Sequence, residues 1–154
     1  MFFTEPITEC GIILLNKTIE KFLIIYQNES SKWGLPKGHM EQNEQNFNLF
    51  FDCAKRELLE ETGIMINTHK YKKMGVYILK NKMFFVIRLL KDIQIQRPHD
   101  QHEVGAIMWL PIKEIFNFSR LYNCNITLRE TCRYISTIYQ YHHKNNTNAQ
   151  IESF

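Results

Sequence analysis

Two apolar runs lie close together near the start of the chain, Cys10-Gly11-Ile12-Ile13-Leu14-Leu15 and Phe22-Leu23-Ile24-Ile25-Tyr26, with the polar stretch Asn16 to Glu20 between them. Continuous apolar runs of this length, bounded by polar turns, read as strands buried on both faces. The pair predicts a hairpin at the middle of a sheet. A polar connection, Gln27 to Lys32, leads to Trp33-Gly34-Leu35-Pro36-Lys37-Gly38-His39, whose glycine and proline punctuation is incompatible with a helix. Lys72 to Leu79 and Met83 to Leu90 read as a second strand pair turned at Lys80-Asn81-Lys82. Val104 to Leu110 reads as a further strand, and Pro111 opens a short helix at its first helical position.

From about Phe47 the period changes. Phe47, Phe50, Phe51, Ala54 and Leu58 recur at i, i+3, i+4, i+7 and i+11, which draws one apolar stripe along a helix. Gly63 is the expected left-handed residue past its end, with Ile64 folding back on the last turn. The final element starts near Thr127, which forms a capping box with Glu130, and carries a stripe of Leu128, Cys132, Ile135, Ile138 and Tyr139 directed at the sheet. After Tyr141 the chain turns polar, and His142-His143-Lys144-Asn145-Asn146-Thr147-Asn148 predicts a frayed tail whose paired histidines are solvated rather than metal-bound. With neither an internal repeat nor a linker, residues 1–141 are expected to form a single domain and 142–154 a polar tail.

Composition narrows the function classes. A chain of 154 residues and 18.5 kDa, 44% hydrophobic and 23% charged, has the size and balance of an ordinary globular domain with its own core. Nineteen Lys and Arg against sixteen Asp and Glu leave a net charge of +3, too small a bias to imply a polyanion or a membrane surface but compatible with an anionic small molecule. The start lacks a basic n-region, the run Ile12 to Leu15 is too short for a signal sequence, and no segment approaches the roughly 20 apolar residues of a spanning helix. A soluble, cytoplasmic protein is expected. Cys10, Cys53, Cys124 and Cys132 occur singly and read as reduced, mostly buried thiols.

The informative segment is Arg56-Glu57-Leu58-Leu59-Glu60-Glu61-Thr62-Gly63-Ile64. At about 100° per residue, Glu57, Glu60 and Glu61 share one face of a single helical turn. They repel one another, and they sit at the negative end of the helix dipole, where Lys or Arg would be favoured. A site that breaks local rules is where function is expected. A divalent cation relieves both penalties, and carboxylate oxygens on a rigid element suit Mg²⁺, with Mn²⁺ as a substitute and substrate phosphates completing the coordination.

These residues carry a resemblance. Gly38 with Arg56 to Ile64 resembles the Nudix box, G-x5-E-x7-R-E-U-x-E-E-x-G-U with U apolar; the second half matches at every specified position. In the first half Glu44 stands at the expected distance from Gly38, but four extra residues separate it from Arg56. Counting back from Arg56 puts Asn48 in the glutamate's place. The extra residues are assigned to the polar loop Glu41 to Asn46, and Glu44 is left without a role. Trp33-Gly34-Leu35-Pro36-Lys37-Gly38-His39 resembles the W-x-x-P-K-G-H stretch of the diadenosine tetraphosphate hydrolase branch, and His102-Glu103 followed by Trp109-Leu110 resembles a second signature of that branch.

The resemblance implies a Nudix-type α/β/α sandwich with a mixed β-sheet between helices. It further implies Mg²⁺-dependent hydrolysis of dinucleoside polyphosphates, foremost asymmetric cleavage of diadenosine tetraphosphate to ATP and AMP. Glu60 and Glu61 would be core metal ligands, Glu57 a ligand or the group orienting the attacking water, Glu103 a fourth carboxylate, and the Lys37 backbone carbonyl a neutral ligand. Arg56 would orient Glu57, and either Glu57 or Glu103 would take the water proton. Lys37, Gly38, His39, Lys80 and Lys82 are candidates for phosphate contacts, and Tyr77, Phe118 and Tyr122 for adenine stacking, while Trp33 reads as structural. The expected partner is a small nucleotide bound by a monomer, with neither membrane nor nucleic acid. Rival readings are an RNA 5′-pyrophosphohydrolase or decapping-type enzyme and a non-catalytic nucleotide sensor.

Overall fold

The computed structural model describes residues 5–44, 46–98 and 101–152, apart from the side chains of Phe47 and of 145–152. Seven strands are described: β1 (Glu9–Leu15), β2 (Lys21–Gln27), β3 (Lys32–Gly34), β4 (Lys37–His39), β5 (Tyr71–Leu79), β6 (Lys82–Leu89) and β7 (Val104–Pro111). Three α-helices accompany them: α1 (Phe50–Thr62), α2 (Ile115–Leu121) and α3 (Ile126–Glu152). The backbone path runs β3-β2-β1-β6-β5, with β4 added to β1 and β7 to β2.

The sheet is mixed. β1 runs parallel to β6 along its whole length, while β4, β2 and their neighbours pair antiparallel. The expected hairpin of β1 and β2 is therefore only a root: the two strands meet at Leu15 and Phe22 and then part, β1 toward β6 and β4, β2 toward β7 and β3. A continuous apolar run tells that a strand is buried on both faces, but not which strands flank its edges.

Both faces are covered, as the apolar runs require. Along β1, Ile13 and Leu15 enter a core shared with Leu128, Cys132 and Ile135 of α3, whereas Cys10, Ile12 and Leu14 face Cys53, Ala54 and Leu58 of α1. Residues of alternate parity on one strand thus feed two layers, giving the α/β/α sandwich. All four cysteines are free and buried.

Element ends depart from the sequence pattern in four places. α1 starts at Phe50, after a 3-10 turn at Phe47–Leu49; the Phe47 side chain, counted in the apolar stripe, lies outside the described residues. Pro111 still pairs with Lys21 as the last residue of β7, and a 3-10 turn, Ile112–Glu114, precedes α2. The cap of α3 is Asn125 rather than Thr127: Asn125 Oδ1 accepts the amide of Leu128 at 2.8 Å, and Thr127 is buried inside the first turn. α3 also continues past Tyr141 to Glu152, with His143 Nε2 3.3 Å from the Ile19 carbonyl. At the other end of α1 the pattern holds, since Gly63 adopts φ 76° and donates to the Leu59 carbonyl at 2.8 Å. Among the described residues no helix is long and apolar enough to cross a membrane.

Candidate active site

α1 commits Cys53, Ala54 and Leu58 to the core, which turns Arg56, Glu57, Glu60 and Glu61 toward β4. The two elements come very close. A Cβ built on Gly38 would stand 2.2 Å from the Glu57 carboxyl carbon, so only glycine leaves room for that carboxylate against the strand. One residue earlier, the Lys37 amide donates to Glu61 Oε1 at 2.9 Å. The Lys37 side chain turns away and donates to Glu9 Oε1 at 2.9 Å. Glu9 is also 3.5 Å from Lys82 Nζ and 4.0 Å from His39 Nε2. Burial by itself would raise the Glu9 carboxyl, but the Lys37 hydrogen bond and the charges of Lys37, Lys82 and His39 outweigh it and hold the group below its usual range.

Arg56 is the hub of the acidic face. Its Nε and Nη2 grip Glu44, Nη2 also donates to the His39 carbonyl at 3.1 Å, and Nη1 reaches both oxygens of Glu60 at 3.1 Å. Nη1 is 3.0 Å from Glu57 Oε1 as well. Hydrogen bonding to Glu44 raises the guanidinium above its ordinary value, and the same bond lowers the Glu44 carboxyl. Glu44 thus has a definite part: it is buried and anchors Arg56, while Asn48 is exposed. With Glu44 six residues after Gly38 and facing Arg56, the four extra residues fall between Glu44 and Arg56, a stretch that begins within the loop Glu41 to Asn46.

Glu61 is the most confined acid of the cluster, 6% exposed. Burial first, then the Glu57 charge and that of Glu103, push its carboxyl up to about 9, with the Lys37 amide and charge offsetting only part of the rise. Burial also raises Glu57 against the opposing pull of Arg56. Among the described residues no three acids, histidines or cysteines already stand together in ligating geometry, and Arg56 contacts both Glu57 and Glu60. The donor set is nevertheless anionic oxygen on rigid elements, and a buried acid surrounded by acids is the position where a hard divalent cation removes the largest penalty.

These groups open onto a cleft of about 730 Å³ that brings together Lys37, Gly38, His39, Arg56, Glu57, Glu60, Glu61 and Glu103. Five other sequence candidates, Tyr77, Lys80, Lys82, Phe118 and Tyr122, fall outside its lining. Tyr77 stacks on Tyr134 of α3 at 4.1 Å, Lys80 pairs with Glu130 at 3.4 Å, Lys82 serves Glu9, and Tyr122 stacks on Phe118 at 4.6 Å on the surface. Trp33 packs edge-on between Tyr26 and Phe118, in keeping with a structural part. The far wall was not foreseen: Gln27, Glu29 and Ser30 come from a segment that sequence reads only as a polar connection.

The family model of the NUDIX domain matches residues 7–130. The phosphatase NudJ of Escherichia coli (strain K12) is 32% identical over 108 residues, 66% of this chain and 67% of NudJ. The mRNA-decapping enzyme subunit 2 of Saccharomyces cerevisiae (strain YJM789) is 25% identical over 128 residues, 80% of this chain; the match spans only 12% of that enzyme's length. In fold, the C. elegans Ap4A hydrolase, solved as a binary complex, superposes with a TM-score of 0.57 at 15% identity, covering 95% of this chain and 99% of that one.

Proposed function

This chain belongs to the NUDIX family, and from that membership and the cleft we propose that it hydrolyses dinucleoside polyphosphates with Mg²⁺, foremost diadenosine tetraphosphate to ATP and AMP. The observation that carries the metal-dependent reading is Glu61, a carboxyl only 6% exposed that lines one cleft with the carboxylates of Glu57, Glu60 and Glu103. Enzymes of the family generally use divalent metals such as Mg²⁺. Glu57, Glu60, Glu61 and Glu103 would hold the ion here, with the Lys37 carbonyl as a neutral ligand and Mn²⁺ as a substitute. When bound, it would supply positive charge to neutralise the substrate phosphates and to favour ionisation of the attacking water.

The chain's own groups do the rest. Arg56, fixed by Glu44, orients Glu57 and Glu60 across the cleft. Glu57 or Glu103 accepts the proton of the attacking water. The water oxygen bonds to phosphorus as the bridging P–O bond breaks, and the nucleotide leaves. His39 lines the cleft where it would meet the substrate phosphates, while the Lys37 ammonium is engaged by Glu9, and confinement in the cleft supplies the orientation on which phosphoryl transfer chiefly depends. Support for the dinucleoside polyphosphate comes from two resemblances distant in sequence, Trp33 to His39 and His102-Glu103 with Trp109-Leu110, whose Lys37, His39, His102 and Glu103 line one cleft.

A second reading, cleavage of the RNA 5′ cap, is favoured by the match to the yeast decapping enzyme over 80% of this chain. Incubation with diadenosine tetraphosphate, capped RNA and triphosphorylated RNA, with and without Mg²⁺, decides between them. The proposal expects Mg²⁺-dependent release of ATP and AMP as the fastest reaction. Faster release of capped nucleotide would replace it with the second reading, and the absence of turnover on any of the three would overturn both.

A further inference from the structure

Glu103 reaches the cleft from the start of β7, far in sequence from the acids of α1, and something must hold it there. The pairing of β2 with β7 shifts register between Tyr26 and Gln27, so that Tyr26 faces Ala106, Gln27 faces Val104, and Gly105 is the additional residue of a bulge. Beyond the bulge Asn28 contributes both its amide and its side chain. The Asn28 amide donates to the Glu103 carbonyl at 2.9 Å, and Asn28 Nδ2 donates to the carbonyls of Gln101 and His102, each at 3.1 Å. Three successive carbonyls, the last belonging to Glu103 itself, are tied to one asparagine.

Gly105 is fitted to this clasp. A Cβ there would stand 2.3 Å from Asn28 Oδ1 and 3.4 Å from Tyr26 Cδ1, so any larger residue in the bulge pushes the asparagine aside. The residues on either side of Asn28, Gln27 and Glu29, line the same cleft as His102 and Glu103. The clasp therefore joins the two halves of the far wall. Bulges commonly re-aim a side chain at the end of a ladder, and here the bulge together with the asparagine fixes where the Glu103 backbone stops.

We propose that Asn28 is a positioning residue of the active site, acting through Glu103 by clamping the backbone of residues 101–103, with Gly105 leaving the space it needs. This rests on the reading of Glu103 as a carboxylate of the metal site. Asn28 touches neither substrate nor metal in this scheme; its effect is on where Glu103 stands. Outer groups that orient ligands typically alter metal affinity or activity by about 10- to 100-fold.

The test is a double-mutant cycle of Asn28→Ala and Glu103→Gln, read by Mn²⁺ titration without substrate and by kcat and KM on diadenosine tetraphosphate. Each single change is expected to weaken Mn²⁺ binding and lower kcat by about tenfold or more with little change in KM, and the double variant to be no worse than Glu103→Gln alone. Gly105→Ala is expected to reproduce the Asn28→Ala defect. Asn28→Asp, which keeps the backbone bond and loses the two side-chain donations, carries the test if Asn28→Ala does not fold. Losses that multiply in the double variant, or an Asn28 variant that binds Mn²⁺ and turns over like wild type while Glu103→Gln is impaired, would overturn the inference and leave the proposed function standing. A Glu103→Gln variant unchanged in both readouts would instead remove the premise.

Discussion

Arg56 grips Glu44 with two parallel hydrogen bonds, Nε to Oε2 at 2.9 Å and Nη2 to Oε1 at 2.8 Å. Glu44 stands on the loop before α1 and Arg56 within α1, so this bidentate pair ties the start of the box to its acidic face. Its side chain is nearly buried, unlike that of Glu60, whose 3.1 Å contacts to the same arginine are solvent-exposed and contribute little to stability. Glu44→Gln is expected to lower folding stability by about 2 kcal/mol in urea denaturation. It should also reduce kcat, because Arg56 loses the anchor from which it orients Glu57.

Gly38 is predicted to be intolerant of even a methyl group for a reason that concerns activity more than folding. The atom a Cβ would meet is the end of the Glu57 side chain, which can swing away. Gly38→Ala should therefore keep its melting temperature within a few degrees of wild type and lose activity by about tenfold or more, as expected for a displaced metal-site group. Thermal unfolding beside steady-state kinetics checks the separation of the two effects.

The pH dependence of the metal-free protein follows from the confined acids. Glu61 has its folded pKa raised from 4.5 to about 9, so between these values the folded chain keeps a proton that the unfolded chain has released. Stability is then lost as pH rises through that interval, and Glu57 acts in the same direction. Glu44 and Glu9, held below their ordinary value, stabilise the fold above about 4.5 and lose that contribution as pH falls. Melting curves from about pH 5 to pH 9 should show a decline on the alkaline side, worth at least about 2 kcal/mol, that Glu61→Gln flattens and Mg²⁺ reverses. An equal decline in Glu61→Gln would mean that the carboxyl is not strained.

Much of this was legible in the sequence where a pattern has one physical solution. The stripe of Phe50, Ala54 and Leu58, closed by Gly63, can only be a helix with one buried face, and that alone displays Glu57, Glu60 and Glu61 together. Edge partners were not legible: the run Ile12 to Leu15 suits a parallel neighbour as well as an antiparallel one, and the neighbour is β6. Glu44 escaped because the extra residues of the box left two positions able to face Arg56, and spacing does not tell which one folds back. Thr127 and Glu130 fit a capping box, but Asn125, two residues earlier, caps α3. Tyr77 and Lys80 are suitable substrate groups by chemistry, and packing against Tyr134 and pairing with Glu130 turned both elsewhere. Asn28 carried no signal at all, since its partners are backbone carbonyls.

The central claim is that the glutamates of α1 share a divalent cation. Anomalous diffraction from crystals soaked in Mn²⁺ tests it most directly. The account predicts a peak in the cleft within about 2.0 to 2.3 Å of oxygens from Glu61 and at least one of Glu57 and Glu60. An empty cleft at saturating Mn²⁺ would contradict it.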